Sequence, residues 1–290
     1  MTTRTTIAGA APVGAVTGRL AQLWRYPVKS MLGERLPAAD VGPAGVAGDR
    51  RLALRHRGTG RVASAKHPRL WRGLLALHAT GAAPGPVRIT LPDGRAVSSV
   101  DPDVDDVLSR VLDAPVTLID RPPAGAVLDR ADPDAVLAAG LTAEVPVDAS
   151  PLGAAAPGTF FDFAPVHLVT TATLARVAAE LPAGTVEAVR YRPNLVLDVD
   201  VDGFAENDWV GRELRIGPEL VLRVLAPTPR CAVPTLAHGP LPRQGEALRV
   251  PARLNRVAPL PQLGPQPCVG AYAQVVRSGR VVQGSTVEVG

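Results

Sequence analysis

Apolar positions along the chain alternate over short stretches and break at turns. Residues 18–24, 51–55, 74–78, 87–91 and 95–99 carry strand-type runs, separated by Gly-Pro, Gly-Thr-Gly and Pro-Asp-Gly. The Asp93-Gly94 pair between two alternating runs predicts a hairpin. Residues 104–112 repeat at helical spacing behind Asp101-Pro102-Asp103, which predicts a short amphipathic helix, and 116–119 return to strand. Further on, Thr170 and Thr171 suit the cap of a helix running to about Glu180. Residues 194–199, 213–216, 220–225, 270–276 and 285–289 read as strands, with Pro227 and Pro229 stopping the ladder after Leu225.

Two blocks of short strands with a few helices predict a mainly β fold, two small β-barrel-like units forming one cleft. Residues 1–18 read as a flexible leader, 19–120 as the first barrel and 160–290 as the second. Between them, 121–159 is acidic, rich in Pro and Ala and without a clear period, which predicts a linker or lid.

Composition sharpens this picture in two places. The chain holds 30 Pro and 28 Gly, spread throughout, which argues against a helical bundle. Of 31 basic residues only Lys29 and Lys66 are lysine. Residues 1–100 carry 15 Lys+Arg against 4 Asp+Glu, whereas 101–150 carry 3 against 11. A basic half calls for an anionic partner. No nucleic-acid-binding module and no stacking aromatics accompany it, and the basic residues lie between strands, so a phosphorylated small molecule is expected, not nucleic acid or membrane. Two cysteines make no disulfide framework, and no apolar run approaches a membrane span. A cytoplasmic protein with reduced thiols follows.

Three segments can carry chemistry. Cys231 follows Pro227-Thr228-Pro229-Arg230, and an arginine beside a cysteine favours the thiolate, the form that binds metals or attacks; the plainer reading is a small core residue. Lys29 and Ser30, after Tyr26-Pro27-Val28, offer an ammonium, a hydroxyl and backbone N–H groups that suit a phosphate, unless they form an ordinary solvated loop. Lys66 supports the same argument, and in Asp49-Arg50-Arg51 one arginine can face the ligand and the other solvent. In Arg190-Tyr191-Arg192-Pro193-Asn194, an extended backbone across Pro193 would point Arg192 and Asn194 the same way, one toward phosphate and one toward a heterocycle edge. The alternative is a helix C-cap followed by a strand start.

Taken in order, Tyr26-Pro27-Val28-Lys29-Ser30, Gly48-Asp49-Arg50, Arg192-Pro193-Asn194, the Phe204-to-Gly211 run with Glu206, Asp208 and Trp209, and Pro229-Arg230-Cys231 resemble the MOSC proteins. That group includes the C-terminal region of molybdenum cofactor sulfurases and the mitochondrial amidoxime-reducing components. The resemblance spans roughly residues 19–289. It implies Lys29, Ser30 and Arg50 on the phosphate of a molybdenum-bound pterin (molybdopterin), with Asp162, Arg192, Asn194 and Arg230 lining the pterin site. Cys231 would coordinate molybdenum and Tyr272 would close the site. The Phe204-to-Gly211 run would be structural, Trp209 packing and Gly211 turning the chain. The implied activity is reduction of N-hydroxylated or other N–O substrates, with electrons from a separate donor protein. After the cysteine the chain departs from the family: Ala232-Val233-Pro234-Thr235-Leu236-Ala237-His238 gives the site a different wall. His167 and His238 are possible neighbours, and Cys268 either packs or adds a second thiol. Two other readings use the same residues: a metal-free sulfur-transfer protein with Cys231 as persulfide carrier or nucleophile, and a non-catalytic cofactor carrier.

Overall fold

The computed structural model describes residues 16–82 and 84–290. Strands with one apolar face need a surface to bury it, and here seven of them close on themselves. They are β1 (Val16–Arg25), β2 (Val166–Thr170), β3 (Leu195–Val199), β4 (Glu213–Ile216), β5 (Leu220–Pro229), β6 (Gln266–Arg277) and β7 (Thr286–Val289). Around the barrel the order is β2-β3-β1-β7-β4-β5-β6, and β6 pairs back to β2. The β2–β3 pair is parallel and the others antiparallel. A parallel pair needs a crossover, which helix α2 (Thr171–Ala178) supplies. Leu20, Leu23, Leu168, Leu195, Leu197, Leu214, Ile216 and Leu222 fill the interior with Trp209. The mainly β, barrel-based architecture therefore matches the sequence pattern. The placement of β1 does not follow from that pattern: this N-terminal strand lies between β3 and β7 and helps close the second barrel.

The rest of the N-terminal block packs around its own core of Val28, Met31, Leu54, Trp71, Leu74, Leu77, Ile89 and Leu108. Ala53–His56 pairs with Val116–Ile119, and His78–Thr80, Arg88–Thr90 and Ala96–Ser98 form a meander turning at Gly94, whose φ is +86°. Helix α1 (Val104–Leu112) turns Val104, Val107 and Leu108 inward. The strand expected over 74–78 is instead a 3₁₀ turn, Arg72–Ala76, with strand only from His78. Leu74, Leu75 and Leu77 are all buried, and burial of consecutive residues removes the alternation that a half-exposed strand needs.

Two further expectations change. Residues 121–159 are not without regular structure: Val127–Ala131 pairs with Val147–Pro151, and the helix Pro133–Ala139 starts at Asp132, whose carboxylate accepts the Ala135 N–H at 2.6 Å. Leu128, Ala131 and Val136 are buried, with Ala131 and Val136 packed against Ala232 of the C-terminal block, so this segment is folded structure docked on that block. Strand β5 also runs on through Pro227 and Pro229, because β-bulges on either side absorb the missing donors. Most of the leader read over residues 1–18 lies outside the described residues, and 16–18 already belong to β1. No helix among the described residues is long and apolar enough to cross a membrane.

The Phe204-to-Gly211 run is structural in a way its sequence conceals. Trp209 fills the barrel and Gly211 turns with φ +85°, but Glu206 is fully inside. Its carboxylate accepts the Thr170 N–H and the Thr173 hydroxyl, each at 2.6 Å, while Thr170 Oγ1 accepts the Thr173 N–H at 3.0 Å. These bonds satisfy the start of α2. Glu206→Ala would leave buried donors unpaired and is expected to cost about 2–3 kcal/mol in denaturant unfolding. Glu206→Gln, which keeps an acceptor, should cost less; equal stability of all three proteins would refute the capping role.

Candidate functional site

The site is built where β1, β3 and the turn at Gly48–Arg50 meet. Asp49, 1 % exposed, accepts the Tyr26 N–H at 2.6 Å through one oxygen. Its other oxygen accepts the Asn194 amide at 2.9 Å and the Arg50 guanidinium. Arg50 returns its own N–H to Tyr26 O at 2.8 Å. Gly48 has φ +80°, and a Cβ there would lie 2.5 Å from that of Ala82, so no larger residue fits the turn. Ser30, Arg50 and Arg192 have φ of +64°, +47° and +56°, three of the five non-glycine residues in this conformation among those described. Each such backbone costs about 1–3 kcal/mol and persists where surrounding contacts demand it.

From this junction opens a cleft enclosing about 790 Å³, part of it open to solvent. Lys29, Ser30, Arg50, Asp162, Arg192, Asn194, Arg230, Cys231 and Tyr272 all line it. Arg51, the neighbour of Arg50, faces solvent. Among the described residues, seven cationic side chains line the cleft against one carboxylate, Asp162. Both lysines of the chain converge on that carboxylate, Lys29 Nζ at 2.6 Å and Lys66 Nζ at 3.1 Å, and Lys29 also donates to Phe160 O at 2.8 Å. Burial lowers the Lys29 pKa to about 8, with Asp162 working against the shift. For Asp162, burial would raise the pKa, but Lys29 and Lys66 together hold it well below the usual carboxylate range.

Arg192 and Asn194 differ from the reading of the sequence. Arg192 closes the 3₁₀ turn Ala188–Arg190, its N–H reaching Ala188 O at 3.2 Å, so the plainer alternative, a helix C-cap before a strand, describes the backbone. The Asn194 amide donates to Asp49 and, at 3.4 Å, to Trp24 O, and its oxygen accepts the His167 N–H at 3.1 Å. Both of its donors are committed, so Asn194 braces the site instead of presenting a free edge to a heterocycle.

Cys231 leaves the end of β5 and stands 8 % exposed in the cleft wall, among Ala65, Leu75, Val233 and Leu236. Arg230 turns away from it, donating to Tyr191 O at 2.8 Å, Thr228 O at 3.2 Å and His167 Nε2 at 2.7 Å. A guanidinium can only donate, so His167 Nε2 is an acceptor and the ring is neutral. Burial, then Arg230, push its pKa well down, in agreement. Gly270 faces this ring with φ +73°, and a Cβ would fall 2.2 Å from Leu168 O and 2.7 Å from His167 Nε2. Tyr272 packs on His167 and Phe163 at centroid distances of 5.9 and 5.3 Å. Cys268 lies outside the lining, fully buried, with its thiol pushed up to about 11 by burial. His238 is also outside it, its Nδ1 2.9 Å from Leu236 O.

Sequence reasoning passed over Asp49, Arg130 and the anchoring role of Arg190. Arg130 lines the cleft from the segment read as an aperiodic linker. Arg190 bonds Glu187, Leu236 O and Pro242 O, fixing the loop beyond Cys231. The Gly48-Asp49-Arg50 motif was the one available signal for Asp49.

Chemically, the cleft can bind an anion at one end and present a thiol at its wall. Sulfate keeps its charge across neutral pH, so its affinity reports the charge on Lys29. As pH rises from 7 to 9 Lys29 loses its proton, and sulfate binding by calorimetry is expected to weaken about tenfold, with Lys29→Met abolishing the dependence. Stability moves the other way. The folded pKa lies below the unfolded 10.5, so between about 8 and 10.5 the unfolded chain holds more protons and rising pH relieves the cost of burying this charge. A flat sulfate affinity from pH 7 to 9 would remove Lys29 from the anion site.

A family model described as MOSC N-terminal beta barrel domain matches residues 17–114, and one described as MOSC domain matches 156–288. No curated protein matches the chain. Among solved structures, the YUAD protein from Bacillus subtilis is similar at 12% identity and TM-score 0.42, over 95% of this chain and 97% of that one. YiiM from Geobacillus stearothermophilus is similar at 13% identity and TM-score 0.31, over 44% of this chain and 54% of its own. With both family models matched in order across most of its length, the chain belongs to the MOSC family.

Proposed function

We propose that this protein binds a molybdenum–pterin cofactor and reduces N-hydroxylated or related N–O compounds, with Cys231 as the protein's ligand to the metal. The observation that carries the reading is the meeting of Cys231 with seven cationic side chains in one cleft of a MOSC protein. A pterin phosphate suits a cationic wall, and a soft thiolate suits molybdenum. One further feature supports the fit: Arg192 Nη2 is buried without a hydrogen-bond partner among the described residues. A buried orphan donor is costly until an acceptor meets it, and a phosphate oxygen is a strong one.

Lys29, Ser30, Arg50 and Arg192 would hold the phosphate end, Arg230 and Tyr272 would flank the ring, and Cys231 Sγ would hold the metal. When bound, the cofactor supplies two-electron chemistry that side chains lack. The protein's own part is to orient and to exclude water. Arg230 keeps His167 neutral beside the site, and Val233 and Pro234 make the wall next to Cys231 apolar. Overall, an N–OH compound, two electrons and two protons give the amine and water, the electrons coming from a separate donor protein. The apolar surround of Cys231 also suits a persulfide, so sulfur transfer without metal is the second reading.

Purified protein is expected to contain stoichiometric molybdenum by elemental analysis. Cys231→Ser should retain pterin but lose N–O reduction. Lys29→Ala removes one charge-assisted contact, about 1.5–3 kcal/mol, so cofactor affinity should fall about ten- to hundredfold while loaded molecules turn over normally. Full activity in Cys231→Ser would remove the ligand assignment. Activity in molybdenum-free protein would favour the sulfur reading.

A further inference from the structure

A second chamber adjoins the cationic cleft and shares part of its wall. Lys66, Arg130, Asp162, Pro229 and Tyr272 line both. Beyond that common rim the second chamber, about 520 Å³ with part open to solvent, is lined by Phe163, Ala226, Pro227, Pro259, Leu260 and Leu263. Pro227 is held in β5 and Pro259 is buried, so the inner wall is stiff. The outer rim is the turn in which Leu263 donates its N–H to Leu260 O at 2.9 Å, and Leu263 remains 44 % exposed. A lone exposed leucine says little. Here it joins a chamber, apolar beyond the shared rim, whose rim residues also line the cleft holding Cys231.

We propose that this chamber receives the apolar body of the substrate, an aromatic or alkyl group, while its N–O head crosses the shared rim toward Cys231. The inference rests on the reading of the cleft as a reduction site and adds the substrate class to it. Cofactor phosphate would take Lys29, Arg50 and Arg192, which line the cleft alone, and an uncharged organic group gains most against Phe163, Leu260 and Leu263. At the rim, Lys66, Asp162 and Tyr272 offer donors and acceptors to a hydroxylamine-type head. The substrate so described is amphipathic: a compact N–O group on an apolar body.

Phenylhydroxylamine and hydroxylamine differ only in that body, so the ratio of their kcat/KM values measures the chamber. In holoenzyme, Leu260→Gln and Leu263→Gln are each expected to lower the ratio, phenylhydroxylamine over hydroxylamine, about tenfold, mainly through KM for the aryl compound. Measuring both variants keeps one poorly folding protein from deciding the matter. Saturation-transfer NMR gives a readout independent of turnover: magnetisation should pass from protein to the ring protons of phenylhydroxylamine and fall in both variants. An unchanged ratio in both variants overturns the proposal, as does ring saturation that persists unaltered in both. A change in oligomeric state with an unchanged ratio would assign the chamber to contact between copies, and the proposal falls. If holoenzyme reduces neither compound, the reductase reading fails separately, and the NMR result alone decides the chamber.

Discussion

The site depends on one buried carboxylate. Asp49 joins the end of β1, the start of β3 and the Gly48–Arg50 turn, three segments distant in sequence, through Tyr26, Asn194 and Arg50. It is also the counter-charge that allows Arg50 and Arg192 to stand together, their guanidinium carbons 4.9 and 4.4 Å from the centroid of the Tyr26 ring. Burial, then Arg50, lower the Arg192 pKa to about 10, the mark of a cation in a desolvated, positive surround. Breaking a buried ion pair leaves an uncompensated charge, commonly at a cost of about 3–5 kcal/mol. Asp49 therefore secures the fold at the junction and fixes the direction of the arginines in a single act.

That dependence explains which parts of the molecule could be read from sequence. Alternation and turn chemistry report on local geometry, so the hairpin at Gly94, helix α1 and the Thr170 cap were legible. The scarcity of lysine was informative as well, since both lysines meet at Asp162. What alternation cannot report is the neighbour a strand chooses, and β1 looked like part of the N-terminal block though it pairs with β3 and β7. Polar junctions are hidden for the same reason. The Asp49–Asn194 bond spans 145 residues, and neither residue carries a local sign of it. The regular structure within residues 121–159 is illegible because their acidic, Pro- and Ala-rich composition masks a few decisive apolar positions, Leu128, Ala131 and Val136.

The barrel gives Cys231 a rigid mounting. Strand β5 pairs with β6 to its last residue, Pro229 opposite Cys268, and the Arg230 N–H reaches Pro267 O at 2.8 Å. Bulges in this pair bend the strand, and the following 3₁₀ turn, Val233–Thr235, backs the cysteine with the Thr235 hydroxyl bonded to Ala232 O at 2.7 Å. The departure from the family pattern after Cys231 thus leaves the mounting intact and changes the wall: Val233 and Pro234 face the cleft. Apolar residues beside the thiol and cationic side chains elsewhere in the lining give the cleft two kinds of surface.

As the one carboxylate among seven cations, Asp162 cannot neutralise the cleft, yet it touches both lysines, and its side chain is 33 % exposed while Lys29 is 4 % exposed. A buried ammonium without a partner would be costly, so Asp162 stabilises Lys29 whenever no other anion does. Any phosphate reaching Lys29 must share it with Asp162 or displace that carboxylate toward Lys66, which is more exposed than Lys29 and stands 3.1 Å from the same carboxylate. Binding then exchanges one counter-anion for another instead of desolvating a bare cation. Such an exchange lowers affinity, and a ligand with more than one negative charge gains most, because its further charge meets cations that Asp162 does not neutralise. The cationic end is accordingly suited to a doubly charged phosphate, and uncharged organic molecules gain nothing there.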